Sequence, residues 1–477
     1  MNSKIVAVAV VAILIVAAVG VVVYVSDDDD TKSYELHRDS FKIGDYDFLT
    51  YSDCRLVVYG NANNDDTIDG KDMDILKAVI AGEIEWDQTN CPFIDTNADG
   101  KIDSSDAELL QNIIDKKPCS VFYENYKKHP TKVAYPTPHD NIGTTYYQQA
   151  QLAILFGLWD SVKACGNGSL NDVTNPGWED KFSYGKGSKV DPQTVLKSGV
   201  STVIYYTQTG TTASDMVELV ESTGYDLNVL CVNHEHILPC ICTYGFLFDL
   251  TDISNAYLAY ADQTKASISD CMQDVADQPS VALVMLYGTA TTDKIRVLGY
   301  GFERDPPGNT HNLANLFHSV PNVNLIRADL NAPSYGTDVT TQWFLDKQPD
   351  YIVLVGSGVG TDSSMNAQEC WDVYSKKCEE VFGQTNAYKN GNIICASNGM
   401  MNGYSNPLVS LKLLSYVYDQ IDTRLADESY QSWYNDYTIH DYGDNCTELF
   451  YRVGTGTSVN DTVEIASDGR ATGFVKG

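Results

Sequence analysis

Oxygen-bearing side chains recur at fixed intervals in two twelve-residue stretches in the first quarter of the chain. The second stretch, "DTNADGKIDSSD" (residues 95–106), has acidic or amide side chains at its first, third, fifth, ninth and twelfth positions. A solvated turn would need Asp, Asn and Gly but not this interval. Calcium takes roughly six to eight oxygen ligands, which such a loop supplies together with the backbone carbonyl at position 7. The spacing therefore predicts a calcium-binding loop, and "NANNDDTIDGKD" (residues 61–72) predicts another.

Each loop contains a full set of candidate ligands, with the residue at position 7 contributing its carbonyl. In the second loop they are Asp95, Asn97, Asp99, Lys101, Asp103 and Asp106, and in the first Asn61, Asn63, Asp65, Thr67, Asp69 and Asp72. Gly100 stands at position 6 of the second loop, where the chain must turn sharply, but the first loop has Asp66 there. The first loop also begins with Asn61 instead of Asp and so loses a ligand charge. We expect two calcium sites, of which the second binds more tightly.

Each loop is followed by a segment with one apolar stripe at helical spacing, which predicts two amphipathic helices that can pack on each other. The stripes consist of Ile75, Leu76, Val79 and Ile80 in the first copy and Leu109, Leu110, Ile113 and Ile114 in the second. The two loops start 34 residues apart, so residues 52–118 form an internal repeat. With Asp at position 12 and no helix before either loop, this small all-α region resembles a type I dockerin module.

The dockerin resemblance implies a protein partner, a cohesin, contacted through loop positions 10 and 11. Those positions hold Ser104 and Ser105 in the second copy but Gly70 and Lys71 in the first. Cohesin binding through one face is one interpretation. A calcium-stiffened spacer between a membrane anchor and a receptor is the other.

Composition and the N-terminal segment indicate an exported protein. The formal net charge is −32, which argues against nucleic acid as a partner. Residues 5–25 are apolar without a charge, long enough for a transmembrane helix, and are preceded by Lys4 and followed by "SDDDD". We expect an N-terminal anchor within residues 1–30 with the bulk of the chain outside the cell. A cleaved signal peptide, and hence secretion, is the alternative.

Twelve cysteines in an exported chain favour disulfides. The stretch "CVNHEHILPCIC" places Cys231, His234, His236, Cys240 and Cys242 close together. Thiolate and imidazole also suit a zinc, copper or haem site, which is the second interpretation of this cluster.

Beyond a linker at residues 31–51 and the calcium module, apolar β-rich runs alternate with helical segments over residues 130–436. They begin with "KVAYPTP" and "STVIYYTQTG" and continue to "YIVLVGSGVG" and "NIICASNG". This order predicts parallel sheets covered by helices on both faces. We expect an α/β fold with an N-lobe at 130–250, a bridging helix at 252–277 and a C-lobe at 279–436. We expect residues 437–477 to form a C-terminal tail.

This region resembles the helical-backbone (class III) substrate-binding proteins that serve ABC importers of ferric siderophores, haem and cobalamin. The stretches that carry the resemblance are "VLKSGVSTVIYY", "FLDKQPDYIVLVGSG" and "NGNIICASNGMMNGYSNPLVSLKLLSYVYD". The resemblance implies a two-lobed fold that binds a metal chelate in a cleft and passes it to an ABC permease. Many members carry a Glu on each lobe for permease docking, where this chain has Gln193 and Gln342. These substitutions put permease docking in doubt.

Ligands of open α/β sheets bind at the carboxyl ends of the parallel strands. The side chains expected there are Tyr135, His139, Tyr206, His234, Tyr287, Arg304, Ser357, Met400, Met401 and Tyr404. Tyrosine and methionine suit a large flat or apolar ligand, and an arginine can pair with a carboxylate. Ordinary packing is the alternative for each residue.

The sequence therefore predicts an anchored receptor for a metal chelate and not an enzyme. It contains neither a G-x-S-x-G nor an H-E-x-x-H motif. A structural surface protein that assembles through dockerin–cohesin contacts is the alternative function.

Overall fold

The structure is a computed structural model of the 477-residue chain. It describes residues 38–474 except 44, 53–54, 87–90, 167–174, 176, 186–188, 208–211, 234–236, 274, 276–277, 288–294, 299–316, 318–319, 327–335, 358–365, 398–405, 419–420, 423–449 and 468–470. The predicted anchor at residues 5–25 lies outside this range. In the part of the chain that is described, no helix is both long and apolar enough to cross a membrane.

An antiparallel hairpin precedes the calcium module. It consists of β1 (Arg38–Ile43) and β2 (Tyr46–Ser52), with Phe41 opposite Phe48. The sequence predicted a linker at residues 31–51, and the structure instead gives much of this stretch regular secondary structure.

Two helices, α1 (Gly70–Ile80) and α2 (Ser104–Ile114), form the calcium module. Each begins with a capping box, because Asp69 and Asp103 are N-caps and the acidic residue three positions later bonds back to the cap. Leu76 and Leu110 are buried in a shared core, as the apolar stripes predict. The outer edge of the first stripe was predicted wrongly, since Ile80 is 41% exposed.

A second antiparallel hairpin, β3 (Cys119–Glu124) with β4 (Pro130–Tyr135), follows the module. Strand β4 contains the first four residues of the run "KVAYPTP", which the sequence analysis assigned to the parallel sheet. That assignment is wrong, because β4 pairs with β3 in a separate two-stranded sheet.

The parallel sheet of the first lobe begins at β5 (Ile142–Thr144), which leads into α3 (Tyr147–Leu155). The next elements are β6 (Val162–Cys165), β7 (Phe182–Ser183), α4 (Pro192–Ser198), β8 (Thr202–Ile204), α5 (Ala213–Thr223), β9 (Asn228–Leu230) and α6 (Ile237–Leu247). Strands β5, β8 and β9 pair side by side and in parallel. Their residues are almost all buried, as expected for a sheet covered on both faces.

The longest described helix, α7 (Thr251–Met272), falls within the segment 252–277 for which the sequence predicts a bridging helix, apart from its first residue; its bridging role stays a prediction. The chain divides into two compact units, and the boundary falls inside α7, after Gln263. The first unit contains the calcium module together with most of the first lobe. The second contains residues 264–477 and the segments 146–155 and 165–187.

The second unit is built on a mixed sheet. Its strands are β10 (Ser280–Tyr287), β11 (Ile295–Leu298), β12 (Asn324–Leu325), β13 (Gly336–Val339), β14 (Tyr351–Ser357), β15 (Ile393–Ser397) and β16 (Phe450–Val453). Strands β10, β14 and β15 are adjacent and parallel. Strands β11, β13 and β16 add antiparallel pairs, so the prediction of an entirely parallel sheet was wrong.

Helices accompany this sheet along the chain, and its last strand comes from the predicted C-terminal tail. The helices are α8 (Thr341–Lys347), α9 (Ala367–Phe382), α10 (Asn386–Lys389) and α11 (Asn406–Ser415). Strand β16 pairs with β15 through Phe450 and Ala396. A final hairpin joins β17 (Val463–Ile465) to β18 (Ala471–Phe474).

The disulfide prediction was wrong for the part of the chain described. Ten cysteines fall within it, and no disulfide joins any of them; Cys54 and Cys446 lie outside. Most are buried among apolar side chains, including Cys231 and Cys395. Their burial indicates that they serve here as small apolar core residues.

Candidate calcium-binding loops and ligand-contacting residues

Backbone N–H groups fix the side chains of the second loop in a closed arrangement. Asp95 accepts hydrogen bonds from the amides of Asp99 (3.2 Å) and Gly100 (2.8 Å). Asn97 Oδ1 accepts from the Asp99 amide (3.0 Å), and Asp99 Oδ1 accepts from that of Lys101 (2.9 Å). These bonds orient three successive oxygen-bearing side chains within one loop. The positive φ of Gly100 (84°) provides the sharp turn that position 6 requires.

Asp106 closes the second loop onto its helix. One carboxylate oxygen accepts from the Asn97 amide (3.0 Å) and the other from the Asp103 amide (2.9 Å). The residue is buried, although its loop neighbours Asp99 and Gly100 are exposed. The Asp106 carboxylate thus completes the capping box of α2 and holds both ends of the loop together, in the position where a calcium ligand is expected.

The first loop repeats most of this arrangement. Asn63 Oδ1 accepts from the Asp65 amide (3.0 Å), and Asp65 Oδ1 accepts from that of Thr67 (2.9 Å). Asp72 accepts from the amides of Ala62 (2.7 Å) and Asp69 (2.8 Å), as Asp106 does in the second copy. The position-6 residue of this loop does not adopt a positive φ; among the loop's residues only Asn64 does (62°).

The two loops differ at position 1. The side-chain amide of Asn61 donates to the carbonyls of Leu56 (2.8 Å) and Asp65 (2.7 Å), whereas Asp95 accepts from backbone amides. Since both partners are carbonyl oxygens, the Nδ2 atom must face them. Asn61 Oδ1 is buried and accepts no hydrogen bond. A buried carbonyl oxygen without a donor fits a cation, because a cation needs no hydrogen bond from it.

Buried acidic groups also favour a cation in both loops. The pKa of Asp72 is raised to about 7, mainly by burial and also by the Asp65 carboxylate, although the backbone hydrogen bonds that Asp72 accepts lower it. Burial likewise raises the pKa of Asp95, with a contribution from Asp106. Carboxylates held close together in low dielectric repel each other until a cation neutralises them. The residues present therefore fit calcium in each loop.

Three of the predicted ligand-contacting residues lie in the first unit. Tyr135 is buried in hairpin strand β4, where it stacks on Phe246 at 4.9 Å between ring centroids. His139 makes an edge contact with Phe248 (5.9 Å). Burial raises the pKa of Tyr135 to about 12. Both side chains contact aromatic residues of the core. These contacts agree with ordinary packing, the alternative to ligand contact for these residues.

The third residue, Tyr206, lies where the sequence predicted. It follows β8, and its amide donates to the hydroxyl of Thr145, which follows the neighbouring strand β5 (2.8 Å). The carboxyl ends of these two parallel strands thus meet at one edge.

In the second unit, Tyr287 and Ser357 are the last residues of β10 and β14 and are register partners. Their positions agree with the sequence expectation, since both end adjacent parallel strands. The other predicted residues lie outside the described range: His234, Arg304, Met400, Met401 and Tyr404.

A polar stretch that the sequence analysis missed begins at the last residue of β5. Thr144, Thr145, Gln148 and Gln149 are all buried in the stretch "TTYYQQ". Neither Thr144 Oγ1 nor Gln149 Oε1 forms a hydrogen bond. The run was overlooked because β5 has only three residues and the stronger β pattern upstream, "KVAYPTP", was taken for the first sheet strand.

The cysteine–histidine stretch is only partly described. Cys231, Cys240 and Cys242 are buried, and burial raises the pKa of Cys231 to about 12. His234 and His236 lie outside the described residues. Within the described residues, no group of three or more His, Cys, Asp or Glu side chains has a compact metal-ligand arrangement. The metal interpretation of this stretch therefore remains a prediction.

Comparison with protein families decides the nature of the calcium module. The family model of the dockerin type I domain matches residues 59–115. This region is a dockerin type I domain. Such domains bind calcium, and the two loops described above are its repeats. No curated protein matches the chain by sequence.

Solved structures show the fold of the remainder. The TroA-like periplasmic binding protein FepB from Veillonella parvula superposes with a TM-score of 0.52 at 11% identity, covering 70% of this chain and 99% of that one. Another periplasmic binding protein from Veillonella parvula gives 0.47 at 12% identity, covering 63% and 99%. The petrobactin-binding protein YclQ from Bacillus subtilis gives 0.45 at 16%, covering 64% and 99%. Over the 70% of the chain that this first match covers, the fold is the two-lobed α/β fold of TroA-like class III binding proteins.

Proposed function

We propose that this chain is an extracellular receptor that binds a metal chelate (a ferric siderophore, a corrinoid or haem) and carries calcium in both dockerin loops. The observation that supports it is the fold shared with a TroA-like periplasmic binding protein over nearly the whole of that protein. The apolar residues 5–25 anchor it in the membrane with the remainder outside the cell.

The chelate binds at the carboxyl ends of the parallel strands. In the first unit this edge contains Tyr206 and the adjacent Thr145, which are the proposed contacts of the chelate. Such edges are where open α/β sheets bind their ligands. Tyrosine offers both an apolar ring face and a hydroxyl, which suits a chelate with aromatic and polar parts.

Natively purified protein tests this function. The absorption spectrum is recorded, and the mass of any small molecule released on denaturation is measured. A stoichiometric corrinoid, haem or ferric chelate supports the receptor. Protein that carries no such molecule, and that shows no binding to a panel of these ligands in titration, contradicts it.

A matched pair of variants locates the ligand. Tyr206→Ala removes a ring at the proposed strand edge, and we expect at least a tenfold loss of affinity, about 1.4 kcal/mol. Tyr225→Ala removes a ring that is exposed elsewhere in the same unit, and we expect unchanged affinity. Equal affinities for the two variants would move the binding position away from Tyr206.

Permease docking is the least supported part of this function. Gln193 and Gln342 are exposed in the first turns of α4 and α8, where related receptors carry glutamates. Gln342 donates to Asp346 on its own helix (2.8 Å). If a permease is engaged, Gln193→Glu and Gln342→Glu should strengthen the complex with it.

Assembly through a cohesin is a second candidate function. It is favoured by the exposure of Ser104 and Ser105 at the start of α2, next to the second loop. The Ser105 hydroxyl accepts a hydrogen bond from Asn97 (2.9 Å) and donates one to Asp103 (2.7 Å), so calcium in that loop would fix its position.

Cohesin binding is tested by surface plasmon resonance against cohesin domains, with and without calcium. Calcium-dependent binding that Ser104→Asp plus Ser105→Asp abolishes supports this candidate, because added charge disrupts a closely packed interface. Gly70→Asp in the first copy is the control. Failure to bind any cohesin tested, with calcium present, would leave the dockerin domain as a structural part of the receptor.

A further inference from the structure

Backbone hydrogen bonds join the dockerin domain to the first lobe directly before the first calcium loop. The Tyr59 amide donates to the Phe122 carbonyl (2.9 Å), and the Glu124 amide donates to the Val57 carbonyl (2.9 Å). Between them, Val58 forms an antiparallel bridge with Tyr123. Residues 57–59 thus extend the β3–β4 hairpin by a third short strand. A domain on a flexible tether would not show such pairing.

Tyr123 continues this connection into the parallel sheet of the lobe. Its side chain is completely buried, and its hydroxyl donates to the Val229 carbonyl in β9 (2.8 Å). The same oxygen accepts from the Cys231 amide directly after β9 (2.9 Å). The Tyr123 hydroxyl thus satisfies the hydrogen bonds of two buried backbone groups at the end of β9. Loss of that hydroxyl leaves them unsatisfied, which costs about 1–3 kcal/mol for each.

Helix α6 provides a second connection to the same loop. The Cys242 thiol donates to the carbonyl of Asp66 inside the loop (3.6 Å). One residue further on, the Thr243 hydroxyl accepts from the Val57 amide (3.3 Å). The loop therefore contacts the lobe through its own backbone and through the residues that precede it.

The two loops differ sharply in exposure as a result. Asn61 and Asp65, at positions 1 and 5 of the first loop, are 0% and 8% exposed. Asp99, at position 5 of the second loop, is exposed. The second copy contacts the lobe through its helix α2, which lies against β3, and through the surface ion pair Lys116–Asp249 (2.6 Å), and exposed pairs contribute little to stability.

The first loop contains the groups that a buried cation would neutralise. Asp65 and Asp72 are both buried acids in one loop, and Asn61 Oδ1 has no hydrogen-bond donor. Buried charges in proteins are paired or coordinate a metal. An ion at this place would stabilise a segment that is continuous with the lobe.

We infer that calcium in the first loop stabilises the solute-binding lobe itself, through residues 57–59 and Tyr123, whereas calcium in the second loop stabilises only the dockerin domain. This inference rests on the proposed calcium binding. It makes the first loop a structural site of the receptor, whereas the second loop affects the dockerin domain alone. Removal of calcium would then loosen β9, far along the sequence from either loop.

Hydrogen exchange of the full-length chain, followed by mass spectrometry with and without calcium, tests this coupling. Calcium at a hundredfold excess over its Kd stabilises the bound form about 100-fold. We expect the protection of peptides that contain residues 119–124 and 228–231 to rise by up to that factor. Protection that rises only within residues 55–115 would overturn the inference.

A matched pair of variants separates the two loops. Asp65→Asn and Asp99→Asn make the same isosteric change at position 5 of each copy. We expect Asp65→Asn to abolish the calcium-dependent protection of residues 228–231, and Asp99→Asn to preserve it. The reverse pattern, or an equal loss in both, would contradict the inference. Should Asp65→Asn fail to fold, the wild-type comparison decides.

A second pair tests the connection itself. Tyr123→Phe removes the hydroxyl between the hairpin and β9, so calcium should still bind while protection of residues 228–231 no longer responds to it. Tyr126→Phe removes a hydroxyl on the same hairpin that bonds to Ser214 instead, and should leave the response unchanged. An unchanged response in Tyr123→Phe would exclude this route.

Calorimetry on the same samples distinguishes the two proposals. If wild-type protein shows no calcium binding, the proposed calcium function fails and the coupling fails with it. If calcium binds but protection in the lobe does not change, only the coupling fails.

Discussion

At the scale of single residues, the acid at position 12 of each loop connects helix formation with metal binding. Asp106 accepts two backbone amides that lie nine and three residues upstream, and it occupies the place of a calcium ligand. Asp72 accepts from the equivalent amides of Asn63 (3.3 Å) and Asp69 (2.8 Å) in the first copy, and also from that of Ala62 (2.7 Å). The sequence predicts the ligand role of both residues from their spacing, whereas their part in the capping boxes appears only in the structure.

Asp106→Ala should destabilise the dockerin domain even without calcium. The amides of the half-buried Asn97 and the exposed Asp103 lose their acceptor, at a net cost of about 0.5–1.5 kcal/mol each, and the loop loses a ligand charge. Chemical denaturation without metal and calorimetry with calcium measure the two effects. Glu108→Ala on the same helix is the control, because Glu108 is exposed and outside the loop. If Asp106→Ala lowered the calcium affinity but left the stability of the metal-free protein unchanged, Asp106 would not hold the loop closed through hydrogen bonds.

Cysteine reactivity gives a second prediction at this scale. Burial raises the pKa of Cys231 to about 12, and its thiol bonds to the Tyr123 hydroxyl (3.3 Å). Since the thiolate is the reactive form, iodoacetamide at pH 8 should modify Cys119 and Cys271, which are partly exposed, well before Cys231. Mass spectrometry of native, briefly treated protein checks the order. Early labelling of Cys231 would contradict the described packing.

At the scale of secondary structure, local patterns predicted some elements and tertiary contacts decided others. The helices after the loops could be predicted because their caps and apolar stripes are local. Strand β4 could not be assigned to its hairpin, since its pattern suits either sheet and its partner β3 has no distinctive signal. Likewise, the three-residue strand β5 is too short to be detected, so the buried polar residues after it were missed.

The contact between α6 and α7 predicts a sensitive position. A Cβ on Gly245 would come within 2.5 Å of Ser254 Cβ, closer than side chains tolerate. Gly245→Ala should therefore destabilise the first unit by about 1–3 kcal/mol in chemical denaturation. Adding Ser254→Gly should restore much of the loss. Gly70→Ala is the control, because no atom lies within 4 Å of the added methyl group. Equal stability of both single variants would argue against the close approach.

At the scale of the whole molecule, the chain combines a dockerin type I domain with a binding-protein fold in an unusual way. The dockerin domain falls into the same compact unit as the first lobe, and the hydrogen bonds at residues 57–59 explain why. The sequence indicates two neighbouring modules but not the backbone hydrogen bonds that join them. No short sequence pattern identifies the pairing of residues 57–59 with β3.

Removing calcium should lower the melting temperature of the full-length chain. An ion at a hundredfold excess over its Kd contributes about 2.7 kcal/mol. For a unit of this size, about 1 kcal/mol corresponds to roughly 2–4 °C, so chelation should cost roughly 5–10 °C per site. Magnesium is the control, since it prefers a rigid octahedral shell and should restore little of the loss. An unchanged melting temperature after chelation would contradict calcium binding.

Strand β16 has a consequence for how the protein is made. It covers the edge of β15, yet residues 398–449 separate the two strands in the chain. On the ribosome, β15 emerges first and its edge stays uncovered while about fifty further residues are synthesised, several seconds at ordinary rates. An uncovered strand edge is a template for pairing with other chains. Newly made chains are therefore most prone to aggregation in this interval, when a chaperone that shields the edge would help most.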